Sequence, residues 1–299
     1  MTFSIDQALV TQFSDMVYAQ AQQMDTRLSP IVDTVQVSGK DYAVERLDTV
    51  EAIEITTRHA DTVAQEIAHS RRQLAMREFR TTILLDEFDD VSTLIDPQSN
   101  YARHIAAAMN RQKDRIIAAA AFANVKTGRN FGTNVTFAND DGLTILASVG
   151  STTGLNYDKL LNIHENFINN NVGVEMAEDM YILAAGQQNT NLMNETELTS
   201  GDFSREYAVE KGKVANAAGL DVIVFSGTDS QPILSKSGND RNCIALAKGG
   251  IKFGVSKEMS IKINERPDKN NLIQLQASMF IGAVRCDGRR VQKVICTEA

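Results

Sequence analysis

Between Ile273 and Ala283 every odd position is apolar: Ile273, Leu275, Ala277, Met279, Ile281 and Ala283. That alternation is the period-2 signature of a strand with one buried face. Taken from Leu272 to Cys286, the strand would run roughly 50 Å at ~3.3 Å per residue, well beyond the usual length. Upstream, Met259, Ile261 and Ile263 alternate with Ser260, Lys262 and Asn264, and Arg266-Pro267-Asp268-Lys269-Asn270 makes the turn. Downstream, Asp287-Gly288 is a tight-turn dipeptide leading to a third strand at Val291–Ile295. Compact enzymes rarely need such a girder, whereas flat, elongated building blocks do.

Composition narrows the class. The chain has 299 residues, 43% hydrophobic and 23% charged, as in a folded soluble protein of one large or two ordinary domains. Its net charge of −8 argues against a dedicated nucleic-acid binder, which usually carries a strongly basic domain. The three cysteines, Cys243, Cys286 and Cys296, are odd in number and lack C-x-x-C spacing, which favours a reduced, cytosolic setting. The start, Met1 to Asp6, lacks a signal peptide's basic and apolar regions, and no apolar run approaches the ~18 residues of a membrane span.

Along the chain, residues 5–24 pattern as a helix through Ile5, Leu9, Phe13 and Val17. Residues 35–44, around Ser38-Gly39-Lys40-Asp41, read as a hairpin arm. The stretch onward to about Arg80 is polar, with too few apolar positions to bury much of itself. Asp96-Pro97 opens the clearest helix, to about Val125 and roughly 40 Å long at 1.5 Å per residue, with Ile105, Met109, Ile116, Ile117 and Ala120 as its stripe. Residues 126–154 read as an irregular excursion. Asn156 caps a second helix through Leu160, Leu161, His164, Phe167 and Ile168. Met180–Ala185 is a buried strand, a short helix begins near Gln187, a loop surrounds Thr199–Asp202, and Val222–Phe225 is another strand.

The search for chemistry returns nothing. His164-Glu165 begins like the zinc-binding H-E-x-x-H, but Ile168 stands where the second imidazole must be. His59, His69 and His104 have no ligand spacing. Lys126-Thr127-Gly128 matches one element of the penicillin-binding set, yet no S-x-x-K supplies a nucleophile. Gly212-Lys213 lacks the glycine spacing of a phosphate loop, and Gly249-Gly250 reads as a turn into a strand at 251–255. Asp86, Glu87, Asp89 and Asp90 read as a solvated acidic helix start rather than a cation site. Arg71, Arg72, Arg77 and Arg80 form the local basic cluster, suited to DNA backbone or to the acidic surface of another subunit. No catalytic, cofactor-binding or metal residue is assigned.

The order of these parts resembles the major capsid proteins of tailed bacteriophages, which have the Hong Kong 97-type fold, over most of the chain from about residue 30. The closest local likenesses are Leu94-Ile-Asp-Pro97, Arg111–Ala121, Leu192-Met-Asn-Glu-Thr196, and Ile263-Asn-Glu-Arg-Pro-Asp-Lys269 with the strand after it. The resemblance implies an α+β chain with an N-terminal arm (1–31) and an extended loop with its adjoining segment (32–95). It also implies a peripheral domain of long spine helix and long antiparallel sheet (96–155 and 243–299), and an axial α/β domain (156–242). The type member carries an N-terminal scaffolding extension, and here the chain begins almost directly at the arm, so a separate scaffolding protein is expected. That member also cross-links its subunits through a lysine on the extended loop. Lys40 is the only counterpart in this arm, and we expect no cross-link from it.

The resulting expectation is a non-enzymatic coat protein without cofactors that self-assembles as pentamers and hexamers into an icosahedral head. The shell would enclose double-stranded DNA without reading its sequence, would be assembled in the bacterial cytoplasm, and would meet a portal and a decoration protein. The runner-up with the same fold is an encapsulin-type nanocompartment shell around protein cargo. From another class comes a cytosolic α/β enzyme built on the central insertion.

Overall fold

The computed structural model describes residues 22–54, 56–58, 61, 64–85, 97–150, 153–172, 179–195, 198, 209–210, 213–269 and 271–298. The first strands are β1 (Asp33–Gln36), β2 (Asp41–Leu47), β3 (His69–Ala75) and β4 (Arg77–Leu85). Helix α1 (Pro97–Phe122) follows, then β5 (Val125–Thr127), β6 (Thr133–Val135), β7 (Leu143–Ile145) and helix α2 (Tyr157–Asn169). Next come β8 (Met180–Ala185), helix α3 (Gly186–Met193), and the short strands β9 (Val209–Glu210), β10 (Lys213–Val214) and β11 (Asn216–Ala217). The chain continues with β12 (Leu220–Phe225), β13 (Lys236–Ser237) and β14 (Asp240–Ala247), then β15 (Ile251–Arg266), β16 (Leu272–Arg285) and β17 (Val291–Thr297).

The expected long strand is β16, 14 residues, paired antiparallel with the 16 residues of β15 in a sheet ordered β1-β15-β16-β4. Its odd positions are the buried ones: Leu275, Ala277, Met279 and Ile281 face Ile105, Met109, Ile117, Ala118 and Ala121 of α1 in one core. Helix α1 has 26 residues, roughly 39 Å at 1.5 Å per residue, and so backs most of the length of its sheet. Strand and helix match because each covers the other's apolar stripe. On β15, Ile261 and Ile263 share this face, opposite Ala277 and Leu275, yet stay exposed. Strand β1 covers β15 only from Lys252 to Val255, so the distal half of β15 has no second strand beside it among the described residues.

The second sheet is ordered β11-β12-β8-β14-β17-β7, with β13 beside β14. It is buried on both faces. Ile182, Ala184, Cys243, Ala245, Ala247, Val294 and Cys296 meet Leu160, Ile163 and Phe167 of α2. Leu183, Ala185, Phe225, Ile244 and Leu246 turn instead to the core shared with α1. A strand covered on both sides has no polar face, which is why β8 and β14 read as continuous apolar runs. All three cysteines are free thiols. The Asn156 cap forms as expected, its side chain accepting from the Lys159 N–H at 2.9 Å. Lys159 itself is buried, its Nζ donating to the carbonyls of Gly154 (2.6 Å), Thr153 (3.0 Å) and Ile295 (3.3 Å).

Several expectations change. Strand β17 does not return along β16; it pairs antiparallel with β14, so the last strand belongs to the second sheet. The pairing therefore cuts across the expected division at 242/243, because the 3-10 turn at Gly288–Arg290 carries the chain from one sheet to the other. Residues 35–44 form no hairpin. Strand β1 joins β15 in parallel and β2 joins β3, the chain switching sheets at Gly39 with φ +113°. The end of the stretch expected to be coreless, residues 69–80, forms β3 and the first part of β4, and Leu74 and Met76 are buried. The excursion at 126–154 contains three short strands. Of the helix expected over 5–24, residues 22–24 are irregular and the rest lies outside the described residues, as do the Asp96 cap and the 199–202 loop.

Two buried carboxylates fasten residues 23–28 and the last strand's end. Asp114, in the middle of α1, accepts from the side chains of Gln23 and Thr26 and from the backbone N–H of Arg27 (3.0 Å) and Leu28 (3.1 Å). Glu298 accepts from Arg241 Nε at 2.7 Å, Lys236 Nζ at 2.6 Å and Gln188 Nε2 at 3.2 Å. The Arg241 hydrogen bond, opposed by burial and helped by Lys236 and Gln188, lowers the Glu298 carboxyl from 4.5 to about 2.

Asp114→Ala should strand buried donors and cost about 3 kcal/mol, with faster amide exchange at Arg27 and Leu28. Because the folded-state value of Glu298 is depressed, its stabilisation is complete above pH 4.5 and is lost as pH falls toward 2. In acid denaturation, Glu298→Gln should lower stability at neutral pH by about 2 kcal/mol and flatten the decline across that window.

Candidate functional site

The arm is a hairpin of β2 and β3 in register from Asp41↔Ala75 to Leu47↔His69, extended sideways by β5 and β6. Its base sits on the long sheet where β15 and β16 place two glycines opposite each other, Gly254↔Gly282. A Cβ at Gly254 would meet Leu74 Cδ2 at 2.7 Å, and one at Gly282 would clash with the Ala75 carbonyl oxygen. The absence of both side chains lets the arm strand cross the sheet at backbone contact, with Leu74 sealed among Val37, Val44, Met76, Val125 and Val284.

Beside this crossing lies a buried ionic cluster. Asp140 takes a two-pronged contact from Arg72 of the arm, Nη1 at 2.6 Å from Oδ2 and Nη2 on Oδ1. Arg285, at the end of β16, donates Nε to Oδ2 at 2.8 Å. The same guanidinium donates Nη1 to the carbonyls of Ala121 (2.8 Å) and Ala123 (3.0 Å) and stacks 5.1 Å from the Phe137 ring centroid. Arg46 approaches Asp140 at 3.6 Å and Asp287 at 3.8 Å. Burial alone would raise the Asp140 carboxyl, but the hydrogen bonds from Arg72 and Arg285 prevail and hold it below its ordinary value. One carboxylate thus ties arm, long strand and helix end together.

Beyond Leu47 the arm changes character. Leu47 is 60% exposed, Val50 48%, Ile53 53% and Ile67 49%, so among the described residues nothing covers these apolar side chains. A fastened base and an uncovered apolar tip are the features of a surface made for a second molecule.

The expected basic cluster is taken apart by the pleat. Arg72 points inward to Asp140, whereas Arg71 pairs with Glu45 at 2.9 Å on the outside and Arg80 pairs with Glu78. These arginines find acids within the chain, and Arg77 remains exposed. Lys40 lies at the arm's base, its carbonyl accepting from the Met76 N–H, at the end of the hairpin opposite Leu47. His164 sits on α2 beside Gly219, with Nδ1 buried and unbonded, and the Ile168 side chain is exposed. No group of three His, Cys, Asp or Glu among the described residues is arranged to hold a metal. Lys126 and Thr127 form β5, where Thr127 pairs with Arg72 of the arm. His59, Gly212 and the acidic residues 86–90 lie outside the described residues. Gly249, with φ +83°, is the turn residue expected before β15.

Asp140 was not singled out from the sequence, since nothing local marks an aspartate in a Gly- and Asn-rich stretch as a buried anchor. Arg72 did carry a signal: it shares strand parity with Leu74 and Met76, whereas Arg71 does not.

The same architecture recurs in phage heads. The fold is similar to that of Mycobacterium phage Che8, at TM-score 0.72 and 15% identity, covering 96% of each chain. It is similar to the capsid of cyanophage P-SCSP1u at TM-score 0.70 and 14% identity, covering 100% of this chain and 96% of that one. It is also similar to the capsid asymmetric unit of cyanophage Pam1, at TM-score 0.75 and 9% identity, covering 98% and 97%. No curated protein sequence matches the chain. The α+β, Hong Kong 97-like fold expected from the resemblance is the fold these heads share with it. A family model described as phage capsid protein matches residues 5–298. The chain belongs to the phage capsid protein family.

Proposed function

We propose that this major capsid protein closes the head shell by laying its arm on a neighbouring copy. The observation that carries the reading is the contrast within one hairpin. The base is fixed by Asp140, Arg72 and Arg285, and the tip leaves Leu47, Val50, Ile53 and Ile67 uncovered. Each arm contact is modest, but closed symmetry repeats it around every ring, so small free energies per subunit sum to a stable shell. The reading extends to pentamers and hexamers enclosing double-stranded DNA, assembled in the host cytoplasm with separate scaffolding, portal and decoration proteins. The −8 net charge fits a coat that confines DNA without binding it tightly.

The division into parts follows the same reading. Residues 22–31 on α1 act as the described end of the N-terminal arm, and 41–75 as the extended loop and its stem. The long sheet with α1 serves as the peripheral domain. The second sheet with α2 and α3 serves as the axial domain, extended by β14 and β17.

Purified chain should run as capsomers or shells by size-exclusion chromatography and negative-stain microscopy, and a monomer under all conditions would contradict the proposal. Val50→Asp with Ile53→Asp should leave the melting temperature within about 3 °C of wild type, as surface changes do, while abolishing assembly. Asp140→Ala should instead cost about 4 kcal/mol by leaving two buried guanidinium groups uncompensated, and assembly should fail through loss of the arm's seat.

A further inference from the structure

We propose that the groove between the C-terminal half of α1 and strands β3, β4 and β16 is a binding site for a phosphate group. Two sources carry that chemistry, a free polyphosphate anion and the backbone of packaged duplex DNA, the second of which rests on the head-shell reading. The groove encloses about 490 Å3, and its walls carry Arg77, Arg115, Lys126 and Arg285 with no carboxylate. In a chain of net charge −8, four cations around one hollow mark a place where a polyanion meets least repulsion.

The charges there are short of partners. At the inner wall two buried guanidinium groups, Arg72 and Arg285, share the single carboxylate of Asp140, which leaves one positive charge over. Arg46, 3.6 Å from Asp140, adds a third cation, and Asp287 meets it at 3.8 Å. Arg285 Nη2 has no hydrogen-bond partner. A charge held away from water is screened less than one in solvent, so this surplus raises the potential of the groove beside it. At the rim, Arg77 and Lys126 are exposed, and neither has a carboxylate partner among the described residues. Arg115 donates Nε to the Gln231 carbonyl at 3.0 Å. Burial and the like charge of Arg111, opposed only in part by Asp229, depress Arg115 below its ordinary value.

An anion in the groove offsets each of these deficits, and phosphate suits the donors that line it. A phosphoryl group offers several charged oxygens, which guanidinium forks take in pairs and a lysine meets as a point charge. Gln73, Gln112 and Asn124 line the same hollow and supply neutral donors. Contacts of this kind fix position and carry no sequence information, as a coat that does not read its DNA requires. A site with so few cations also holds phosphate weakly and in a salt-sensitive way, which accords with the acidic total.

The test titrates sodium tripolyphosphate and a short DNA duplex into the unassembled full chain at low ionic strength, followed by calorimetry, with each variant checked for cooperative melting. Wild type should bind at least one probe, and Arg77→Gln with Lys126→Gln should weaken that binding by about tenfold or more. Lys248→Gln with Lys262→Gln, an equal loss of charge at two exposed lysines outside the groove, should leave it within about twofold. If the double groove variant does not fold, Lys126→Gln alone should still weaken binding by about threefold. Groove-dependent binding of tripolyphosphate but not of the duplex assigns the site to a free polyanion. Groove-dependent binding of the duplex, with a salt slope reduced by about one to two in the variant, assigns it to the DNA backbone. No binding of either probe, binding unchanged by the groove variant, or an equal loss in groove and control variants would overturn the proposal. A groove variant that fails to assemble yet binds both probes as wild type does makes the groove a protein contact, so the phosphate site falls while the head-shell reading stands.

Discussion

The structure depends on one buried carboxylate more than on any apolar contact. Asp140 sits among Arg72, Arg285 and Arg46, which arrive from the arm, from the end of the longest antiparallel pair, and from the arm's other strand. Two fully or nearly buried arginines around one aspartate are poor contributors to raw stability, because desolvation offsets much of their attraction. Their value is geometric. A guanidinium shared between Asp140 and the last carbonyls of α1 holds the helix, the strand and the arm at one set of angles. The Gly254/Gly282 crossing complements it, since only bare backbone admits Leu74 at that depth. A shell subunit needs this kind of fixed relation. Angular error at the base of an arm is multiplied along its length before it reaches a neighbour.

The two sheets divide the remaining work. The sheet around β8 and β14 is covered on both faces and contributes side chains to both large cores. The long sheet is covered by α1 on one face and, among the described residues, leaves the distal edge of β15, with Ile261 and Ile263, open. Long, twisted, partly open elements of this sort can change tilt without breaking a core, as a shell that alters its curvature requires.

What the sequence revealed followed from periodicity. Strand β16, helix α1, the Asn156 cap of α2 and the buried strand β8 all carry a pattern that local physics determines, and each appears within a few residues of its expected position. What it concealed was partnership. The Asp287-Gly288 turn announces a change of direction but not of sheet, so β17 read as a third strand beside β16 when it pairs with β14. Residues 69–80 looked coreless because Leu74 and Met76 are their only deeply buried apolar side chains, and the cover over them is assembled from separate parts of the chain, Val37, Val44, Val125 and Val284. Arg71-Arg72 looked like one basic patch, although adjacent residues on a strand face opposite ways.

Hydrogen exchange on unassembled subunits and on intact shells tests the central claim most directly. A fixed base and a partner-dependent tip predict that the amides of β3 are protected in both states, while those of residues 48–54 become protected only in the shell. Protection of 48–54 in the isolated subunit, or β3 amides that exchange freely until assembly, would contradict it.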